Sequence, residues 1–342
     1  MKRRGILLLA ILALAFAAAA AAAQTAAQTS GAESLSQLRD ELQAIRRPFP
    51  GDMSIYMKNL STGDEIALDA DTVYETFSVI KLAIASEVLR EAEAGKFSLD
   101  DRIAITPADR RLPSGVLYSL DPGLQPTVRD LLTLMIIISD NEATDILASK
   151  VGRANVTAYM RSLGLKNTSI KFSDLDWDRT WLGTFDPSYK NASGDQTIKF
   201  PFGKYGESQV STAFGHTIYD AGIYFGHSTT REIGQLLEWA AQGKLVSKKA
   251  SSLLLDIMEK QQVNDRFPRY LEDVRIAHKT GDGQPFIAND AGILWAHDQP
   301  IVLIVFTGHH RGPTSSLHDS IARVAALVVR HYGGKVTPDF KP

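Results

Sequence analysis

The chain predicts an α+β fold in two lobes, a five-stranded antiparallel sheet flanked by helices and an all-helical lobe inserted between the sheet-forming parts. Three observations lead there. Two strand-like runs joined by a polar turn open the globular region, three more stand near its end, and helical periodicity fills most of the interval. A sheet divided in this way closes only when the terminal parts of the chain come together. The helices of about residues 78–228 are then left as a lobe of their own.

Residues 53–60 and 65–68, with Ser61-Thr62-Gly63-Asp64 between them, read as a hairpin with a polar turn. Residues 79–94 carry apolar side chains at helical spacing and stop at Gly95. Thr127-Val128-Arg129-Asp130 opens a second apolar helix that runs to Ile138. A third occupies 141–150 before Gly152, and a fourth 154–163 before Gly164. Amphipathic helices follow at 229–241 and 247–262. Strands return at 274–280, 288–295 and 301–307, and residues 316–332 form a closing helix. Residues 185 to about 224 fit no element, being rich in Gly, Ser, Tyr, Phe and Asp without a sustained period. This insert carries Tyr189, Tyr205, His216, Tyr219, Asp220 and Tyr224. It reads either as a substrate-facing lid or as an elaborated surface loop with a small core of its own.

The start Met1-Lys2-Arg3-Arg4, the apolar run from Ile6 to Phe16 and the alanine tract to Gln24 predict a secretory signal peptide over residues 1–23. The strongly apolar part is short for a membrane span, so stable insertion after cleavage is not expected. No cysteine follows the run to accept a lipid. Small polar residues over 24–35 read as a disordered tether, and 36–342 as the catalytic domain of a periplasmic or secreted protein, expected to be a monomer. The formal net charge of −2 becomes −5 once Lys2, Arg3 and Arg4 leave with the leader, and no basic patch argues for nucleic acid. Without cysteine there is no disulfide framework, thiolate nucleophile or cysteine-ligated metal. The 8 histidines show no metal-binding spacing, and His309-His310 reads as a rim pair at a strand end. No metal and no cofactor are expected.

Three motifs stand in a fixed order: Ser78-Val-Ile-Lys81, Ser139-Asp140-Asn141 and Lys279-Thr280-Gly281. Each alone is weak. A serine hydroxyl needs a neighbouring base to become a nucleophile, and residues three apart share a helix face, so the Lys81 amine can serve Ser78. A helix start also supplies backbone N–H groups for a developing oxyanion. The bland alternative makes Ser78 a cap and Lys81 a solvated residue. The apolar neighbours Phe77, Val79, Ile80, Leu82, Ala83 and Ile84 count against it, because an unpaired buried lysine is costly. Ser139 can pass a proton to a leaving nitrogen and the Asn141 amide can hold an acyl-side carbonyl. The same three residues also make a good capping turn, with Asp140 structural. Lys279 and Thr280 at an exposed strand end suit a substrate carboxylate, and Gly281 lets backbone approach the ligand. The N–H of Asp282 is the second oxyanion donor beside that of Ser78. A charged turn after a strand remains the alternative.

In these residues the chain resembles the class A serine β-lactamases and the wider penicillin-binding, D,D-peptidase superfamily. The likeness runs from about Ile55 to Tyr332. Thr76-Phe-Ser-Val-Ile-Lys81 is similar to the family's nucleophile helix. The stretch from Pro126-Thr127-Val128-Arg129-Asp130 through Ser139-Asp140-Asn141-Glu142-Ala143-Thr144 is similar to its second motif region, and His278-Lys279-Thr280-Gly281 to its third. The resemblance implies the β-lactamase/transpeptidase-like fold and an exported hydrolase that opens the β-lactam amide through a Ser78 acyl-enzyme. A small-molecule β-lactam or peptidoglycan-derived substrate goes with it. A D,D-peptidase or esterase of the same fold, and an acylated receptor without turnover, are the alternatives. Two departures stand out. No Glu-Pro-x-Leu-Asn supplies the family's deacylating glutamate, and spacing onward from Gly164 lands on Asp174 as the substitute, with Asp176 next. The strand at 301–307 lacks the family's arginine, for which Arg231 and Arg275 are stand-ins.

Overall fold

A computed structural model describes residues 34–121 and 123–341 of the chain. The leader expected at 1–23 and most of the tether expected at 24–35 lie outside the described residues. Residues 34 and 35, which the sequence reading gives to the tether, belong to a helix, α1 (residues 34–46). The sheet and the site lie in the unit that begins at Pro48. Among the described residues no helix is long and apolar enough to cross a membrane.

The strands are β1 (Asp52–Asn59), β2 (Glu65–Leu68), β3 (Tyr74–Glu75), β4 (Ser169–Ile170), β5 (Gly226–Ser228), β6 (Leu271–Glu272), β7 (Arg275–Gly283), β8 (Ile287–Ala296), β9 (Gln299–Gly308) and β10 (Lys335–Val336). The helices after α1 are α2 (Lys81–Glu93), α3 (Val128–Ile137), α4 (Asn141–Val151), α5 (Arg153–Ser162), α6 (Asp174–Leu182), α7 (Gly194–Thr197), α8 (Glu207–Ile218), α9 (Thr230–Ala241), α10 (Lys248–Met258) and α11 (Thr314–His331). Five strands form an antiparallel sheet in the order β2-β1-β9-β8-β7. The closing contact is the full-length pairing of β1 with β9, from Asp52 opposite Gly308 to Asn59 opposite Ile301. Helices α9 and α11 pack on the sheet, and Gly234 of α9 is needed there because a Cβ would lie 2.4 Å from the Tyr56 ring.

Helix α2 runs through the interior, with Leu82, Ala83, Ile84, Ala85 and Val88 fully buried. Two of its polar residues are buried with them: Ser86 donates to Leu82 O at 2.7 Å, and Glu87 pairs with Arg90 at 2.6 Å. Helix α3 starts on a capping box in which Thr127 and Asp130 bond each other's backbone N–H, as the sequence pattern implies.

Two expectations need correction. The inserted lobe is not all helical, for β3, β5 and β4 form a small three-stranded sheet in that order. Strands of two or three residues are too short to show a period and are set by tertiary contacts. The stretch 185–224 is not structureless either, since it contains α7 and α8. The Ser, Thr and Gly residues of α8 are weak helix formers and conceal it in the sequence. Its Val210, Phe214 and Ile218 repeat every four residues and turn one apolar face inward. The insert has its own aromatic core. The rings of Phe185 and Tyr205 lie 4.8 Å apart, those of Tyr189 and Phe200 also 4.8 Å, and Trp181 stacks on Phe202 at 5.6 Å.

Candidate active site

Ser78 lies in a single 3-10 turn, Phe77–Ile80, that leads into α2, and Lys81 is the first residue of that helix. The turn is strained. Phe77 has φ 43, a left-handed conformation that a bulky residue adopts at a cost of about 1–3 kcal/mol. Its surroundings hold it there. The Glu75 carboxylate accepts the N–H of Phe77 at 2.9 Å, Phe225 at 2.8 Å and Gly226 at 3.2 Å. Burial pushes the Glu75 carboxyl up to about 8 despite these donors. From the other side Asn289 Nδ2 donates to the carbonyls of Glu75 and Thr76 at 3.0 and 3.2 Å. Strand β7 then comes so close that a Cβ on Gly281 would lie 2.3 Å from Thr76 O and 3.2 Å from Ser78 N. A Cβ on Gly283 would lie 2.3 Å from the Phe77 ring.

Lys81 is fully buried, and its Nζ donates to Ser139 O at 2.8 Å, Ser139 Oγ at 3.1 Å and Asn141 Oδ1 at 2.8 Å. A neutral amine keeps all three contacts when the Ser139 hydroxyl donates to it, and an ammonium keeps them as donor in each. Lys279 is also fully buried, and donates to Ser139 Oγ at 3.0 Å and Thr280 O at 2.7 Å. Two lysines thus meet on one serine hydroxyl. Burial lowers the pKa of both, and for Lys279, held well below the usual lysine range, the charge of Lys81 adds to it. Burial thus favours the neutral amine at both positions. Asn141 Nδ2 is fixed on Leu112 O at 3.0 Å. Asp140 is structural, as expected. It caps α4 through Ala143 N at 3.0 Å and accepts Val116 N and Leu117 N at 2.7 and 3.0 Å. In two details sequence and structure differ. Lys279 stands in the interior beneath Ser139 rather than at an exposed strand end, because β7 continues to Gly283. And the Lys81 amine is bonded to Ser139 and Asn141, not to the Ser78 hydroxyl.

A cleft of about 440 Å³ joins these parts. Ser78, Ser139, Asn141, Thr280 and Asp282 all line it, together with Arg266. The Thr280 Oγ1 is buried and has no hydrogen-bond partner. Arg266 is fully buried, donates to Asn289 O at 2.6 Å and pairs with the Asp282 carboxylate. It lines the cleft, where the sequence reading looks to Arg231 or Arg275 for a cation. Arg231 instead pairs with Asp71 at 2.7 Å and Glu65 at 2.8 Å, while Arg275 pairs with Glu259 and lies over Trp295. Neither lines the cleft. Arg266 comes from a loop before β6 with no period or motif, so only folding reveals it.

Asp174 opens α6, held by the Asp145 carboxylate, which accepts Asp174 N at 2.8 Å and Leu175 N at 3.1 Å. The residue is partly open to the cleft, yet its Oδ2 is sealed from solvent without a partner. Burial and the charge of Asp145 push the Asp174 carboxyl up to about 7, against the nearby charge of Lys81. Asp178, one helical turn on, also lines the cleft with an unpartnered buried Oδ2, and burial raises its pKa well above the usual range. Asp176 does not qualify as the second choice. It faces outward, with Arg179 at 3.2 Å and Arg153 at 3.8 Å. Residues i and i+4 share a helix face whereas i+2 does not, so Asp178 is the true neighbour.

The insert reaches the cleft through Phe214, not through the polar aromatics expected to do so. Phe214 packs edge-on against Trp177 and Trp181 at 5.5 Å each. Tyr189 and Tyr205 belong to the insert's own core, while His216 and Tyr219 border a separate cavity with Phe286. Among the described residues no group of three acidic, histidine or cysteine side chains is placed to hold a metal ion.

Fold and cleft together define a penicillin-recognising type of architecture, a five-stranded antiparallel sheet whose edge strand meets a serine–lysine turn. The chain matches the profile of the Beta-lactamase enzyme family over residues 37–332, and it belongs to that family. A β-lactamase of Streptomyces albus G is 27% identical over 287 residues, covering 81% of this chain and 79% of that one. The crystal structure of a β-lactamase from Chitinophaga pinensis superposes with a TM-score of 0.69 at 25% identity, over 86% of this chain and 98% of that one. The structure of PBP-A shares the fold at a TM-score of 0.67 and 22% identity, over 86% and 96% of the two chains.

Proposed function

We propose that the protein is an exported serine β-lactamase in which Ser78 attacks the lactam carbonyl and carries the acyl group. A lysine that is neutral in the empty cleft, Lys81 first, takes the Ser78 proton through or beside Ser139. Ser139 then returns a proton to the lactam nitrogen as the C–N bond breaks. The N–H groups of Ser78 and Asp282 receive the oxyanion, the Asn141 amide receives the acyl-side amide, and Thr280 with the charge of Arg266 receives the substrate carboxylate. Asp174, assisted by Asp178, deprotonates the water that frees Ser78. The observation that carries this reading is the meeting of Lys81 and Lys279 on Ser139 Oγ, at 3.1 and 3.0 Å, beside a cleft that also contains Ser78. A surface serine has no use for two buried amines whose burial is costly without a task.

One observation favours a slower enzyme. An aspartate reaches one methylene less than the family's glutamate, and about 1 Å of misplacement can cost about a hundredfold. Intact mass after exposure to a penicillin, with steady-state turnover of a chromogenic cephalosporin, tests the proposal. A transient adduct with product supports the lactamase. A lasting adduct without product makes it a penicillin-binding peptidase or receptor, and neither adduct nor product means that its ligand is a different one.

A further inference from the structure

A second cavity adjoins the cleft. It measures about 750 Å³ and is walled by Phe202, Tyr205, Val210 and Phe214 of the insert and by Gln284 and Pro285 beyond β7. Phe214 and Gln284 line both cavities, so the two lie side by side. One face of α8 builds the wall, for Glu207, Val210, Ser211 and Phe214 stand at positions i, i+3, i+4 and i+7. Val210, Phe202 and Tyr205 are only half-buried there, so apolar surface is left facing an open compartment. Pockets of this size and lining take apolar groups.

We propose that this compartment binds an extended apolar group, aryl or alkyl, on the acyl side of the substrate, so that the insert sets acyl-chain specificity. The proposal rests on the reading of Ser78 as the acylated residue. The order of groups along β7 gives the direction. Thr280 stands where the carboxylate of the leaving side is expected, Asp282 offers the oxyanion N–H two residues on, and Gln284 stands two residues further. A substrate laid along this strand runs its acyl chain past Gln284, over Phe214 and into the compartment. Glu207, exposed at the far end of the α8 face, ends the apolar stretch. An apolar extension that stops short of it fits, and an anionic one does not.

The test uses the mature chain and two penicillins with the same nucleus, one with an acetyl side chain and one with a biphenylacetyl side chain. Second-order acylation rates are read by intact mass. The biphenyl compound is expected to acylate at least about tenfold faster, since a few buried methylene equivalents give that discrimination. In Val210→Asp, and in Ser211→Trp, which fills the compartment without adding charge, the ratio of the two rates is expected to fall to near one. Equal rates in the wild type, or a preference that survives both substitutions, overturns the proposal. If neither penicillin acylates Ser78, the parent reading has failed and the compartment is judged separately. Titration of the tryptophan fluorescence with biphenylacetamide, which has no lactam ring, then decides. Saturable quenching lost in Val210→Asp supports an apolar site, and no quenching removes it.

Discussion

Replacing Asp174 by Asn removes a carboxylate whose Oδ2 is sealed in the protein without a partner. Two effects of opposite sign are expected. Folding raises this pKa from 3.8 to about 7, so the folded state holds the proton more tightly than the unfolded one. The stability lost to ionisation is then absent below about pH 4, grows between about pH 4 and 7, and is constant above. A shift of about three units at about 1.4 kcal/mol each gives about 4 kcal/mol as the ceiling. Water in the cleft and the loss of a countercharge near Lys81 bring the gain below that. The amide of Asp174→Asn carries no such penalty, so the variant is expected to gain on wild type in urea denaturation at pH 8 and not at pH 4. Turnover is expected to move the other way. Without the base the acyl-enzyme should persist about 10²–10⁴ times longer by mass. In the wild type, deacylation should rise about tenfold per pH unit until about pH 7. A variant with no pH-dependent gain refutes the buried charge, and an adduct of ordinary lifetime refutes the base.

Ser78→Ala is expected to abolish labelling by a fluorescent penicillin, and label on another residue would move the nucleophile elsewhere. Thr280→Val removes a hydroxyl that has no partner in the protein. It should leave stability within about 0.5 kcal/mol and lower acylation by carboxylate-bearing substrates about tenfold, with much less effect on a neutral ester; equal loss on both defeats the carboxylate role. Gly281→Ala should fold yet acylate at least about a hundredfold more slowly, because its Cβ pushes on Thr76 O at 2.3 Å and displaces the nucleophile turn. Wild-type rates would show that the close approach is not needed. Glu75→Gln turns an amide NH₂ toward backbone donors and should cost about 1–3 kcal/mol in denaturant. An unchanged midpoint would mean that the clamp on Phe77 carries no weight.

Helices and strands with a full period are legible in the sequence, as the pairing of β1 with β9 demonstrates. They need only local side-chain spacing and one topological step. The order of the motifs likewise places Ser78, Lys81, Ser139 and Asn141 together. What stays hidden depends on three-dimensional neighbours. Arg266 has no motif and is recognised only by its burial against Asp282 and Asn289. Asp178 yields to Asp176 in the sequence reading because nothing in the spacing gives the phase of α6, which its Ser173 cap sets. Phe214 is concealed inside a helix of weak formers. Lys279 reads as exposed because the length of β7 cannot be followed through its glycines.

The stretch between Leu182 and Phe225 enters and leaves through fixed posts. At its entry the Asp145 carboxylate pins the first turn of α6, and at its exit Glu75 holds the N–H groups of Phe225 and Gly226. Between those posts the chain has its own aromatic nucleus, and its Phe214 lines the cleft beside Trp177 and Trp181. Such a segment behaves as a cartridge. Its length and composition can change while Glu75 still holds Phe77 next to Ser78. Under the proposed function, a change of this segment would alter which side chains a substrate can carry without moving Ser78.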